Sequence, residues 1–179
     1  MKFKMKSKLG GIILILCVVL VGCNNKTIYH NTTVNFPSPD KANAIIALTL
    51  NIPPDVELTT ASGNDKEIQR ETLIYRNNSI VGNIVCDSVE ISSNQNSAAE
   101  IYKRIMNSES TDWSLSEEEE RQKKGITVST LKNADSDIGV LVYSKELDVY
   151  VGIKILADAF APEEADMLIG SIFLDQLDL

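Results

Sequence analysis

The chain has one histidine, His30, and three cysteines, Cys17, Cys23 and Cys86, and these few residues bound the chemistry it can do. A Ser-His-Asp or Cys-His assembly needs a histidine held rigidly beside a nucleophile. His30 sits in a polar stretch, where a solvated linker side chain is the reading. The sequence has no H-E-x-x-H, no G-x-S-x-G, no phosphate-binding loop and no G-x-G-x-x-G, so the common hydrolytic and nucleotide chemistries have no motif to stand on. Carboxylates remain. Zinc held by carboxylates alone runs against its preference for nitrogen and sulfur. The run Glu117-Glu118-Glu119-Glu120 lacks the alternating acids and central glycine of a calcium loop. It reads instead as the solvated first turn of a helix. Asp148, between Leu147 and Val149, is an acid inside a strand pattern and reads as a strand-end turn residue. A hydrolase using a pair of carboxylates stays open as an alternative, because such pairs assemble in space and not in sequence. Trp113 and Tyr150 are the candidate contact aromatics.

Cys23 carries a different chemistry. Residues 2–8 hold Lys2, Lys4, Lys6 and Lys8, and residues 9–21 are thirteen residues without a charge. A basic start and a short apolar run describe a secretory signal. Thirteen residues rise only about 20 Å as a helix, short of the roughly 30 Å of a bilayer core. The run ends Leu20-Val21-Gly22-Cys23. This resembles the lipobox of bacterial lipoproteins, in which the cysteine sulfur takes a diacylglycerol and the signal is cut before it. The resemblance implies a signal peptide over 1–22 and lipidation at Cys23. It implies a chain on the extracytoplasmic side of the cell membrane, held by its acyl chains. Two chains give stable anchoring where one is marginal.

Residues 1–22 hold four of the 17 basic residues and none of the 25 acids, so the remaining 157 residues carry a net charge of −12. That excludes nucleic acid as a partner, since phosphate binding needs Lys and Arg. With Cys17 removed and Cys23 acylated, Cys86 is left with no cysteine to pair with. It reads as a small buried hydrophobe. The fold must then stand on its apolar core.

Residues 23–42 read as a lipidated flexible stalk, polar and containing Pro37 and Pro39. Residues 43–179 are patterned throughout. Ile46, Leu48, Leu50 and Ile52 alternate as a half-buried strand, and 56–60 continue extended. Residues 71–75 and 80–86 make a hairpin around Asn77-Asn78. Ser97 and Glu100 form a capping-box spacing at the start of an amphipathic helix. Residues 116–119 repeat that spacing and predict a second helix, with Gly125 as its stop. Three strands follow at 126–131, 138–143 and 147–155. Pro162 opens a last helix whose apolar stripe runs through Ala165, Leu168, Ile169, Ile172, Phe173 and Leu177 to the chain end.

The expectation is an α+β domain, an antiparallel sheet of about six strands with packed helices. The phrase Leu48-Thr49-Leu50-Asn51-Ile52-Pro53, then hairpin, helix, meander and helix, is similar to the Mog1/PsbP-like domains of some bacterial lipoproteins. That resemblance is one of element order and implies no shared catalytic residues and no cofactor. The expected role is a non-enzymatic binding or accessory module of the cell envelope, with an envelope protein or small ligand as partner.

Overall fold

The computed structural model describes residues 28–39, 41, 43–60, 71–88, 97–108 and 112–178. The signal peptide expected at 1–22 and the lipidation expected at Cys23 lie outside them. Among the described residues are ten strands and two helices. In chain order the strands are β1 (His30–Pro37), β2 (Ala44–Ile52), β3 (Val56–Thr60), β4 (Glu71–Arg76) and β5 (Ser79–Asp87). Helix α1 (Ala98–Ile105) follows, then β6 (Ser114–Arg121), β7 (Ile126–Lys132), β8 (Ile138–Ser144) and β9 (Val149–Ile155). Helix α2 (Pro162–Ser171) and β10 (Phe173–Asp178) close the chain. Among the described residues no helix is long and apolar enough to cross a membrane.

Every strand pair is antiparallel. Seven strands form one sheet in the order β3-β4-β5-β9-β8-β7-β6, and β1-β2-β10 form a second of three. The two sheets share one core. Val34 and Phe36 of β1, Leu48 and Leu50 of β2 and Leu174 of β10 meet Ile74, Ile84, Val140, Val151 and Ile153 of the large sheet. Alternation along each strand sends the intervening residues of the large sheet to its other face. There Leu131, Leu141 and Tyr150 pack under Ile101, Tyr102 and Ile105 of α1. Sheet, sheet and helix thus make three layers around two apolar clusters.

The hairpin, the capped helix and the meander form as the sequence expects. Asn77 and Asn78 both take positive φ, 52° and 63°, the pair of left-handed residues that a tight hairpin turn requires. The single sheet of about six strands expected is instead two antiparallel sheets, because β1 and β10 pair with β2 apart from the seven others, and three further expectations are corrected. Residues 30–37 are not stalk but β1, because Val34 and Phe36 alternate into the core while their neighbours face out. His30 is therefore the exposed first residue of a strand, opposite Ile52. Residues 114–121 are not a helix but β6, an edge strand whose carboxylates stay in solvent. Charge on an edge strand blocks pairing with another chain. Gly125 does act as a stop, at φ 62°, for the short 3-10 turn Gln122–Lys124 rather than for a helix.

The third correction is the end of α2. The helix stops at Ser171, Ile172 turns to ψ 129°, and Phe173–Asp178 pairs with β2. The helix C-terminus leaves carbonyls without intrahelical partners, and cations are favourable there. The β6–β7 connection supplies both. Arg121 Nη1 donates to the Ile169 carbonyl at 2.9 Å, and Lys124 Nζ to the Ile172 carbonyl at 3.0 Å. Ser171 Oγ donates to the Leu168 carbonyl and accepts the Asn51 N–H from β2. These contacts end the helix where the apolar pattern alone would extend it.

Candidate functional site

The outer face of the large sheet is covered by α1, and a cleft opens at one end of that contact. Ser97 starts the helix with the expected capping box: the Glu100 N–H donates to Ser97 Oγ at 3.3 Å, and the Ser97 N–H to Glu100 Oε2 at 2.9 Å. That start fixes which helix face lies on the sheet. Two glycines let it lie close. A Cβ on Gly139 would stand 2.8 Å from Tyr102 Cζ and 3.0 Å from the Trp113 ring. A Cβ on Gly152 would stand 2.6 Å from Met106 Sδ. The Tyr102 contact is shorter than a Cβ makes, so the aromatic pair sits where glycine leaves room, whereas at Gly152 the flexible Met106 side chain would have to give way.

Tyr102 and Trp113 meet edge to face, ring centroids 4.8 Å apart at 68°, the arrangement that aromatic quadrupoles favour. The Tyr102 hydroxyl donates to the Ile153 carbonyl at 3.1 Å. Burial, with the charge of Asp137 added, pushes this phenol well above its ordinary pKa, so it stays a neutral donor. Trp113 Nε1 is buried and has no hydrogen-bond partner among the described residues. Asn83, Met106, Ser108 and Lys154 complete a cleft of about 260 Å³ around the two rings.

The polar end of the cleft is braced from behind. Lys154 Nζ lies 3.2 Å from Asp137 Oδ2. Asp137 also accepts the Ala157 N–H at 2.9 Å and the Asn133 amide at 3.2 Å. Burial works to raise the Asp137 pKa, but these donors and the Lys154 ammonium outweigh it, and the group is held below the ordinary carboxylate value. Asn83 Nδ2 donates to Glu71 Oε1 at 2.8 Å. Lys154 and Asn83 are thus oriented by partners outside the cleft.

The acidic run lines a separate groove of about 200 Å³ on the inner side. Glu117 and Glu119 point to that side, across from Asp166 of α2, whereas Glu118 faces the other way and accepts from Ser129 Oγ at 2.9 Å. Glu119 is paired to Arg121 at 2.8 Å. Among the described residues no aromatic ring lines this groove, and no carboxylate lines the α1 cleft. A general acid at neutral pH needs a raised carboxyl pKa. Asp137 and Glu164 are shifted the other way. Among the described residues no group of three or more His, Cys, Asp and Glu is placed to hold a metal.

The structure separates the two candidate aromatics. Trp113 forms a wall of the cleft. Tyr150 stacks on Tyr143, centroids 4.5 Å apart, within the same apolar cluster but away from the cleft lining. Asp148 is an exposed turn residue at φ 50°, one position before β9. Cys86 is fully buried in the core shared by the two sheets. Sequence reading missed Asn83 and Ser108 altogether. Lys154 carried a faint signal, since Tyr150, Gly152 and Lys154 alternate onto the face that α1 covers. The chain matches no protein-family model, no curated protein and no solved structure.

Proposed function

We propose that this chain is an extracytoplasmic lipoprotein, held to the membrane through acylated Cys23, whose body is a binding module for a small ligand rather than a hydrolase. The observation that carries the binding reading is the α1 cleft, where Asn83, Ser108 and Lys154 converge over the buried edge-to-face pair Tyr102–Trp113, with no carboxylate among the described lining residues. Ligand sites combine apolar and aromatic walls with a few fixed polar groups. The lipobox residues Leu20–Cys23 support the anchor. Because β1 starts at His30, the tether is short. Seven residues extend at most about 25 Å, which keeps the body close to the membrane surface. We read the architecture as a variant of the Mog1/PsbP-like domain, on the antiparallel sheet with one helix after β5 and another after β9. The three-stranded outer sheet is its departure.

Two measurements test the reading. Cys23→Ser should lose acylation and move the protein from the membrane to the soluble fraction; unchanged acylation and fractionation would remove the anchor. Trp113 is the sole tryptophan of the chain, so its emission reports the cleft directly. A saturable emission change with a small aromatic molecule supports a binding cleft. Hydrolytic turnover abolished by Glu117→Gln or Glu119→Gln would favour the carboxylate alternative.

A further inference from the structure

We infer that the outer face of the three-stranded sheet lies on the membrane surface, which turns the α1 cleft away from the bilayer. This rests on the anchored lipoprotein of the reading above. The inner face of β1-β2-β10 lies in the core shared with the large sheet, and α1 covers the opposite side of the molecule. The other face of the small sheet points outward. Phe173 and Leu177 of β10 stand on it, 39% and 47% exposed.

The composition of this face suits the headgroup layer. Pro37, Ile45 and Leu177 stand in one cross-strand row, and Thr33, Thr49 and Phe173 in another. The Thr33 and Thr49 hydroxyls bond each other at 3.0 Å, which lowers what leaving water costs them. Asp175 is the only charge among the described strand residues of the face. The body after residue 22 has 13 basic residues against 25 acids, a net charge of −12, and anionic lipid repels such a body. The face that meets least repulsion is the one with a single acid. The four glutamates of β6 belong to the other sheet.

Reach and area choose lipid over a second copy of the chain. The seven residues from Cys23 to His30 span at most about 25 Å, and the eight residues of β1 run about 27 Å, so the tether lets the sheet lie flat. Three strands about 4.8 Å apart over that length offer roughly 400 Å². A stable protein interface takes about 800 Å² from each partner, twice what this face has. A membrane asks for less, because the acyl chains supply the attachment and the tether makes the contact intramolecular.

The test uses the full acylated chain on phosphatidylcholine vesicles, with brominated acyl chains as a short-range quencher of tryptophan. Leu177→Trp puts a reporter on the outer face. Leu115→Trp puts one on the far side: Leu115 is 52% exposed and pairs with Leu131, on the face that α1 covers. Trp113 lies on that far side too and is the baseline in every chain. Brominated lipid should leave the parent and Leu115→Trp unchanged. It should remove about half of the Leu177→Trp emission, the share of the added ring, since an interfacial side chain sits about 5–10 Å into the headgroup boundary. Phe173→Trp should respond as Leu177→Trp does. Flotation with the vesicles establishes that each chain is anchored, and urea midpoints that each is folded. If the folded chains float and the two outer-face reporters are quenched no more than Leu115→Trp, the orientation is overturned and the anchor stands. A doubled mass of the parent in detergent micelles, lost in Leu177→Asp, would give the face to a second copy and overturn the orientation as well. If the parent does not float, the anchor reading falls and the orientation with it.

Discussion

Arg76 closes a two-pronged ion pair on Glu164, Nη1 to Oε2 at 2.8 Å and Nη2 to Oε1 at 3.0 Å. The pair ties the end of β4 to the first turn of α2. Glu164 also accepts the Ala161 N–H at 2.9 Å, as the return bond at the helix start. The same guanidinium reaches Asp55 at 2.7 Å and the Ala159 carbonyl at 2.7 Å, and lies over the Phe160 ring. One side chain therefore joins the β2–β3 turn, the hairpin and the approach to α2. Arg121 and Lys124 grip the other end of that helix. Both ends of α2 are fixed by cations that come from the large sheet.

Removing Arg76 should be costly. Breaking a fully buried ion pair by deleting one partner costs about 3–5 kcal/mol. The two side chains here are 20% and 15% exposed, and screening lowers the expectation for Arg76→Leu to about 2–3 kcal/mol. Asp55 is 42% exposed, so Asp55→Asn should cost about 1 kcal/mol or less. Urea titration of the two variants reads the difference. Equal midpoints would show that Arg76 is a surface group with no part in holding α2.

Acid should loosen two places, the Arg76–Glu164 pair and the Asp137 group behind the α1 cleft. The Arg76 hydrogen bonds hold the Glu164 carboxyl below its ordinary 4.5, against the opposing effect of burial. Asp137, despite its burial, is held below its ordinary 3.8 by Ala157, Asn133 and Lys154. A carboxylate whose folded pKa is depressed contributes stability that is present above its unfolded pKa and lost as pH falls through the folded one. The urea midpoint should therefore fall as pH drops below about 4.5. Glu164→Gln and Asp137→Asn should each flatten that fall. A midpoint that is steady from pH 5 to pH 3 in the parent would contradict both assignments.

Two phenylalanines mark where the core begins and ends. Phe36 in β1 is fully buried, whereas Phe173 at the start of β10 is 39% exposed. Phe36→Ala should cost about 3–5 kcal/mol, as for a buried aromatic. Phe173→Ala should cost about 1 kcal/mol or less. Ile172, one residue earlier and fully buried, should behave like Phe36, at about 2–5 kcal/mol for Ile172→Ala. A chain beginning at residue 43 lacks β1 and should lose its cooperative thermal transition. An intact transition in that chain would show that β1 is dispensable to the core, and a large loss on Phe173→Ala would show that the buried stripe of α2 reaches Phe173.

These three positions show why some elements are visible in sequence and others are not. Strands β2, β5 and β9 are central in their sheets, so their pattern of Ile, Leu and Val is dense and unmistakable. The strands at sheet edges are different. β1 commits only Val34 and Phe36 to the core, and β6 exposes nearly every residue. Such segments carry too few apolar positions to show a period, and Glu-rich stretches have helical propensity that only pairing with β7 overrides. At α2 the apolar spacing continues past Ser171 into β10, and a run that suits both periods is ambiguous in one dimension.

Hairpin, meander, α1 with its cap and the Pro162 start of α2 follow from local chemistry, because turn residues, caps and alternation act within a few positions. The Leu20–Cys23 spacing that we propose as a lipobox is local in the same way. The cleft is not. Asn83, Tyr102 and Lys154 come from three separate elements and Trp113 from the connection before β6, and their meeting depends on strand order β5-β9-β8 and on Gly139 admitting the rings. Strand order is decided by which apolar faces bury best together, a sum over the whole core that no short stretch encodes. That sum placed a single lysine beside the only tryptophan, and it left the four consecutive glutamates, the most conspicuous charges in the sequence, on a solvent-facing edge.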